Sequence, residues 1–399
     1  MSQLILLDDG GGAFGPLTDL RPSYELRTGA CTTEQRIARC CGLKVAGRIV
    51  PSTLAAIERE KHSEPVNTLP PDGDDVLIIN GRLTTLPGEP PALGTMEIDP
   101  EDGSLRRAHL DAGQAEVWLS TRTTPDGVKV IEVPEPAMLR HPWDLLAGGS
   151  DRIIEDIEHA SKGQTGSIPA TATVIGDATV IVADDAELDP GTILDARKGP
   201  IMIGPGASIG AHSVLAGPCA IGPGCMLGPH TQIKAGTATG PRCRLGGEIG
   251  GTIFQGHANK SHHGHLGDSW VGEWANLGAG TVNSNLLNTY GVVPMKLEPE
   301  GPTIRSGRTF LGCLIGDHVK TAIGTRIMTG TVLGTGAMVA STQPPPSCTP
   351  RFAWLSDKGN LHYQLGKFLK VMDTVMARRD RTPGEAYVAR VGELHESRT

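Results

Sequence analysis

A six-residue period runs through the middle of the chain. From Ile203 the sequence reads IGPGAS, IGAHSV, LAGPCA, IGPGCM, LGPHTQ, IKAGTA, TGPRCR and LGGEIG, eight blocks in one frame. The first position is aliphatic at Ile203, Ile209, Leu215, Ile221, Leu227 and Ile233, lapses at Thr239 and resumes at Leu245. The fifth is small at Ala207, Ser213, Cys219, Cys225, Thr231, Thr237 and Cys243. The frame returns at Val271 and Leu277 and again at Ile315, Thr321, Ile327, Leu333 and Val339, and a less regular stretch sets Val182, Leu188 and Leu194 in step. A period of six fits neither an amphipathic helix, which repeats near ~3.6, nor an alternating strand. It fits a solenoid of short flat strands joined by Gly-bearing turns, with the first position filling the interior and the fifth held small.

The period accounts for the composition. The chain has 53 Gly and 30 Pro in 399 residues, but only 5 Phe, 5 Trp and 4 Tyr, as a narrow aliphatic coil requires. Gly does not recur at every third residue, which excludes collagen, and a hydrophobic content of 38% excludes disorder. A net charge of −8 offers no broad basic field, so neither nucleic acid nor an anionic membrane is an expected partner. The longest early apolar run, Leu4–Leu7, is too short for a signal or a membrane span, which points to a cytoplasmic protein. Eight cysteines with no CxxC pair suggest reduced thiols. Cys219, Cys225, Cys243 and Cys313 fall on the small fifth position and read as compact buried residues.

The length predicts two or three domains of about 150 residues each. Residues 1–145 read as an α/β domain, with strands expected at Leu4–Leu7, Lys44–Val50, Val76–Asn80, Glu116–Ser120 and Val128–Val133 and helices at Thr33–Cys41 and Ser52–Lys61. Residues 146–181 form a helical linker, the helical pattern itself running over His141–Lys162 with Ile153, Ile154 and Ile157 on one face and Ser150 as its cap. The coil occupies 182–341 and stops at Pro344-Pro345-Pro346. A tail, 342–399, holds an amphipathic helix carrying Leu361, Leu365, Phe368, Leu369, Met372, Val375 and Met376, a stripe that reads as a packing face closing the last coil or a subunit contact.

Two constellations carry chemistry. After the first strand comes Asp8-Asp9-Gly10-Gly11-Gly12-Ala13-Phe14-Gly15-Pro16-Leu17-Thr18, then Arg21-Pro22. Such a Gly-rich turn lets backbone N–H groups approach phosphates. The second is the histidine cluster from His257 to His265, which interrupts the repeat; neutral imidazole is suited to accept a proton near neutral pH. His257 and His262 also have a spacing used by zinc ligands, which leaves a metal site open as the alternative. His263 reads as an exposed loop residue. For Lys234, Arg242, Arg244, Lys260, Arg305, Arg308, Lys320 and Arg326 a solvated charge stands beside a phosphate contact as a reading.

The hexads resemble those of hexapeptide-repeat transferases, which implies a left-handed parallel β-helix and a homotrimer. The first constellation resembles sugar-1-phosphate nucleotidyltransferases, as do VLIINGRL (Val76–Leu83) and His141-Pro142-Trp143-Asp144-Leu145. That resemblance implies nucleotide binding by Gly10, Gly11, Gly12, Arg21, Arg27, Asn80 and Gly81, with Mg²⁺ and a UTP-like nucleoside triphosphate if the domain is active. The chain departs from that family at Ser23-Tyr24, where its lysine would stand, in lacking a basic residue after the glycines, and at Arg82, which replaces its metal-binding Asp. Asp8 and Asp9 are the available substitutes.

The second constellation resembles the acetyltransferase half of bifunctional UDP-N-acetylglucosamine pyrophosphorylase/glucosamine-1-phosphate N-acetyltransferases, especially archaeal-type ones. The match runs through His262, Leu266-Gly267-Asp268, Asn276-Leu277-Gly278-Ala279-Gly280-Thr281 and Asn285. It implies His262 as general base and Asn285 as its catalytic companion at the sugar. Asn276, Lys260, His265, Lys296 and Arg308 would bind the substrate, and Gly278, Ala279, Gly280, Lys320 and Arg326 would lie along coenzyme A. The family tyrosine falls on His265, and its lysine on Gly291, for which Lys296 would substitute. The expectation is an α/β nucleotidyltransferase-like domain, a left-handed β-helix and a C-terminal helix, transferring acetyl from acetyl-CoA to an amino-sugar phosphate in nucleotide-sugar synthesis with no resident metal. Two rivals are a nucleotidyltransferase whose coil serves as an oligomerisation platform and a non-enzymatic ligand sensor.

Overall fold

A computed structural model of the chain describes residues 2–71, 73, 75–86, 88–160 and 167–397. The N-terminal region is a six-stranded sheet in the order β2-β1-β3-β5-β4-β6. Its strands are β1 (Gln3–Leu7), β2 (Val45–Ile49), β3 (Asp75–Asn80), β4 (Thr95–Ile98), β5 (Leu105–Asp111) and β6 (Lys129–Glu132). The central run Leu4–Leu7 is buried on both faces, as expected for a strand covered by helices on each side.

Helix α1 (Thr33–Cys41) begins at a capping box formed by Thr32 and Gln35 and stops at Gly42, whose φ of 63° only glycine adopts without strain. α2 spans Ser52–Lys61. The stretch Glu116–Ser120, expected as a strand, lies inside α3 (Ala112–Thr121), because Asp111 and Gln114 form a second capping box that starts a helix there. β4 and β5 were not foreseen. In place of one helix over 141–162 there is a short turn of 3-10 helix at Pro142–Leu145, then α4 (Gly149–Ala160). Ile153 and Ile157 of α4 are buried; Ser150 sits within its first turn and does not cap it, and Ser161 and Lys162 lie outside the described residues.

The repeat folds into three parallel sheets that wind round one core. Ile203 pairs with Ile221, Ile209 with Leu227 and Leu215 with Ile233, so three hexads make one turn. The aliphatic first positions and Cys219, Cys225, Cys243 and Cys313 all lie in this core. Thr239, the lapse, is also buried, its hydroxyl accepting from the Gly222 N–H at 2.8 Å. Around Lys260 the coil is trimmed: Leu245 pairs with Lys260, so a lysine takes an inward position otherwise held by an aliphatic residue.

The first face includes Ile253–Phe254, Trp270–Val271, Cys313–Ile315 and Thr331–Leu333 and is covered by the N-terminal region. Phe14, Leu17, Leu26, Leu139 and Trp143 pack on Ile253, Trp270, Leu314 and Val332, while Ile153 and Ile157 of α4 pack on Ala220 and Ala238. The second face includes Asn259–Lys260, Asn276–Leu277 and Lys320–Thr321; the third includes Ile193–Asp195, Gln232–Ile233, Glu248–Gly250 and His265–Gly267. Between Asn283 and Cys313 the chain leaves the coil and forms a small hairpin pairing Pro294–Met295 with Ile304–Arg305. The coil runs on past the proline run, because Val332 pairs with Cys348 and Val339 with Leu355. Helix α5 (Leu365–Ala377) then lays Phe368, Met372 and Met376 on Phe352 and Trp274, and α6 (Glu385–Ser397) completes that cluster.

Candidate active site

The histidine-bearing stretch forms a corner between the second and third faces, at residues 261–264. His262 and His263 are exposed there. The next corner, Gly278-Ala279-Gly280, lies directly against it, with the Gly280 N–H donating to the His263 carbonyl at 3.1 Å. Gly280 has a φ of 72°, and a Cβ there would come within 3.4 Å of the His263 ring. The Ala279 N–H has no protein acceptor among the described residues. Beneath the corner, the buried Lys260 ammonium donates to the carbonyls of Gly246 and His262, both at 2.9 Å. Burial pushes Lys260 down to about 8. The substrate contact expected of Lys260 is therefore corrected: its nitrogen is inside the coil, fixing the backbone of His262.

On the third face His265, Asp268 and Asn285 come together. The Asn285 amide donates to Asp268 Oδ2 at 2.5 Å, and His265 Nδ1 lies 3.3 Å from Glu248, which also holds Lys234. Partial burial raises the Asp268 carboxyl above its ordinary range, against the Asn285 hydrogen bond and the charges of Arg308 and His265. Buried Asn283, not singled out from the sequence, bridges the Gly267 N–H and carbonyl at 2.8 and 2.9 Å and holds this face where strand pairing breaks off. Asp268 and Arg308 line a cavity of about 350 Å³ whose opposite wall is Gly148, Gly149, Ser150 and Asp151 at the start of α4.

Other expected members lie elsewhere. Asn276 is on the outer second face, accepting from Asn259, which in turn holds Arg379 after α5. Lys320 follows in the same column and is pushed down to about 8 by burial. Arg326 is exposed and donates to the Thr342 carbonyl. Lys296 does not stand in for the missing lysine beside Asn285: its segment turns toward the N-terminal region, where Leu297 packs against Gly15 and Glu298 shares the coil's Arg351 with Asp19. His257 stands at a different corner from His262, its ring buried on Trp274 at 4.4 Å and facing Glu273, so the two are not co-ligands of one metal.

In the N-terminal region Asp8, Asp9, Gly10 and Gly11 line a cleft of about 650 Å³. Asn80 and Gly81 do not line it: Asn80 is fully buried behind Asp9, to which its amide donates at 2.8 Å, and Gly81 is required because a Cβ would lie 2.5 Å from Tyr24 Cβ. Exposed Gly12 adjoins it. Arg21 and Arg27 do not contact this cleft in the way expected. Arg21 is buried against the coil, bonded to Asp317 and Glu273 at 2.9 and 3.1 Å. Arg27 is buried at the same interface, bonded to the Ala30 carbonyl, while its own carbonyl accepts from Trp270 Nε1 at 3.1 Å. Nor do Asp8 and Asp9 fit a Mg²⁺ ion. Every carboxylate oxygen of the pair already accepts from a protein donor, and Arg82 sits against Asp9 at 2.6 Å.

Residues 4–165 match the family described as sugar nucleotidyl transferase, and residues 200–247 match the bacterial transferase hexapeptide (six repeats). "Bifunctional protein GlmU" of Methanococcus vannielii is 33% identical over 94 residues, 24% of this chain and 22% of that protein. The "bifunctional sugar-1-phosphate nucleotidylyltransferase/acetyltransferase" of Sulfurisphaera tokodaii is 38% identical over 78 residues, 20% of this chain and 19% of that protein. The chain thus matches about a fifth of the length of these relatives. Among solved structures, the polysialic acid O-acetyltransferase OatWY is 13% identical, covers 48% of this chain and 88% of its own, and has a TM-score of 0.28. The coil is a left-handed parallel β-helix of hexapeptide type following an α/β domain. Among the described residues no helix is long and apolar enough to cross a membrane.

Proposed function

We propose that this chain, whose N-terminal region matches the sugar nucleotidyl transferase family and whose coil matches the hexapeptide transferases, is an acetyl-CoA-dependent N-acetyltransferase acting on an amino-sugar phosphate of the glucosamine-1-phosphate class, a reading supported by its similarity to bifunctional nucleotidylyltransferase/acetyltransferases. The observation that carries the reading is the packing of the His262 corner on the Gly278–Gly280 corner, beside the Asp268–Asn285–His265 cluster.

In this reading the His262 imidazole takes the proton from the acceptor amine as its nitrogen attacks the thioester carbonyl, since an ammonium has no lone pair to attack with. The Ala279 N–H stabilises the resulting oxyanion, and collapse expels the coenzyme thiolate, which takes up a proton. Asn285 and His265 position the sugar, with Asp268 orienting the Asn285 amide. Arg308 and the α4 N-terminus, across the small cavity, suit an anionic group on the acceptor. The protein works as a cytoplasmic homotrimer in nucleotide-sugar synthesis.

The test is thiol release from acetyl-CoA with glucosamine-1-phosphate as acceptor, wild type against His262→Ala. The expected result is acceptor-dependent release that falls about 10²- to 10⁴-fold in the variant. Release unchanged by the substitution overturns the assignment.

A further inference from the structure

The acceptor named above brings a proton problem that one base does not solve. An amine with electron-withdrawing neighbours titrates near about 8, as an α-amino group does, and enters a site at neutral pH largely as ammonium. Two protons must leave that nitrogen on the way to the amide: one before attack, to free the lone pair, and one as the C–N bond forms. A single imidazole that took the first would be an imidazolium, with nothing left to accept the second.

The third face holds a second imidazole in a suitable state. Unlike His262, to which no carboxylate is paired among the described residues, His265 is oriented by one: its Nδ1 lies 3.3 Å from Glu248. A carboxylate only accepts, so Nδ1 carries the ring proton and Nε2 keeps its lone pair. Lys234 bonds the same carboxylate and, together with His265, holds it below its ordinary range, so it stays charged where an imidazole titrates. Gly267 gives Nε2 its room. A Cβ there would lie 2.7 Å from His265 Nε2 and 2.8 Å from Asn285 Nδ2, so the missing side chain lets the two nitrogens converge. Asn285 in turn donates to Asp268 Oδ2 at 2.5 Å. An ammonium group set between the Nε2 lone pair and the Asp268 carboxylate meets both an acceptor for its proton and a counter-charge, while Arg308, on the same cavity as Asp268, suits a neighbouring phosphate. The charged and titratable groups around the ring are thus Glu248, Lys234, Asp268 and Arg308, with His262 and His263 at the adjoining corner.

We infer that His265 is a second proton acceptor in the acetyl-transfer site: it takes the first proton from the acceptor's ammonium group, and His262 takes the second as the nitrogen attacks the thioester. The inference rests on the acetyl-transfer reading and gives His265 a step beyond holding the sugar. Ammonium and neutral His265 become amine and imidazolium, and that proton passes to solvent. The amine nitrogen then bonds to the thioester carbon, His262 takes the proton it sheds, and the C–S bond breaks to a thiolate that is protonated from His262. One proton is released for each acetyl group moved.

The test follows kcat/KM for glucosamine-1-phosphate, by thiol release from acetyl-CoA, between about pH 6 and about pH 9 in wild type, His265→Gln and His262→Ala. Without His265 only acceptor already deprotonated in solution reacts. The ratio of wild type to His265→Gln should therefore fall about tenfold per pH unit from about pH 6.5 to about pH 8 and level off above it. Added imidazole should restore His265→Gln near about pH 7 and do nothing for it at about pH 9. His262→Ala should be depressed at every pH. A ratio that stays constant with pH, or no recovery with imidazole, overturns the inference and leaves acetyl transfer standing. A wild type that releases no thiol on addition of acceptor overturns the acetyl-transfer reading itself.

Discussion

Arg21→Ala should unlock the interface between the N-terminal region and the coil in a pH-dependent manner. Asp317 lies in that interface with its side chain 1% exposed, accepting from Arg21 and from the Glu273 N–H at 2.7 Å. Burial pushes its carboxyl up to about 6, even with Arg21 holding it down. A folded value above the ordinary 3.8 means that stability is fully present below 3.8 and is lost as pH rises through about 6. At about 1.4 kcal/mol per pH unit, this gap costs wild type about 3 kcal/mol above neutrality. Without Arg21 the folded value rises further, and the carboxyl at worst stays protonated at about pH 8, a total cost of about 6 kcal/mol. The variant therefore loses up to about 3 kcal/mol more than wild type at about pH 8 and almost nothing more through Asp317 at about pH 5. The weakened Glu273 pairing adds a loss that is nearly constant over that range. Urea unfolding of both proteins across this interval checks it. A gap in midpoint that stays constant with pH refutes the reasoning.

Glu58 is buried and pushed up to about 7 by its burial and by Glu25, against the pull of Lys61. Its contribution is present below its ordinary 4.5 and lost as pH rises through about 7, so Glu58→Gln should gain in Tm relative to wild type between about pH 5 and pH 8 by thermal melts. Gly11→Ala places a Cβ 2.7 Å from Arg82 and 2.9 Å from Asp9 and should destabilise by about 1–3 kcal/mol in denaturant titration, with the coil's circular dichroism unchanged. Lys260→Met removes the donor that holds the His262 carbonyl; acetyl transfer should fall about tenfold in kcat with KM for acetyl-CoA little changed.

The coil was legible because its code is local. A six-residue period sets inside from outside within each strand, so Ile203 to Leu245 and the four fifth-position cysteines could be placed without knowing any partner. The start of α1 was legible for the same reason, Thr32 and Gln35 being neighbours. Charged residues were not. Arg21 and Lys260 carry the side chains that phosphate sites use, yet their partners Asp317 and Gly246 are distant in sequence or hidden by the trimmed coil. Nothing local separates a guanidinium aimed at solvent from one aimed at a buried carboxylate. Arg82 marks the boundary: its place in the motif argued against a cation, but only its bonds to Asp9 and Ser104 show that it fills the loop itself.

The loop that follows the glycines has another use, which a truncation can test. Between Phe14 and Arg27 it supplies Phe14, Leu17 and Leu26 to the first face of the coil, together with Arg21 for Asp317 and the carbonyl that receives Trp270 Nε1. Gln255 answers from the coil, accepting from the Arg27 N–H at 2.9 Å and donating to the Glu25 carbonyl at 2.8 Å. Removing residues 1–166 would uncover Ile253, Trp270, Leu314 and Val332 together and strand Asp317 without its cation. A Trp alone brings about 150–250 Å² of apolar surface, so the patch would reach the few hundred Å² at which soluble proteins self-associate. The isolated coil should therefore elute as aggregate on gel filtration, and Trp270→Ser with Leu314→Ser should partly restore its solubility. A coil that is monodisperse without either substitution and keeps full acetyl transfer would mean that the N-terminal region is a tethered passenger. If it aggregates, that region covers the solenoid whether or not its cleft is filled, and the chain keeps the domain for a structural reason that needs no nucleotidyl chemistry.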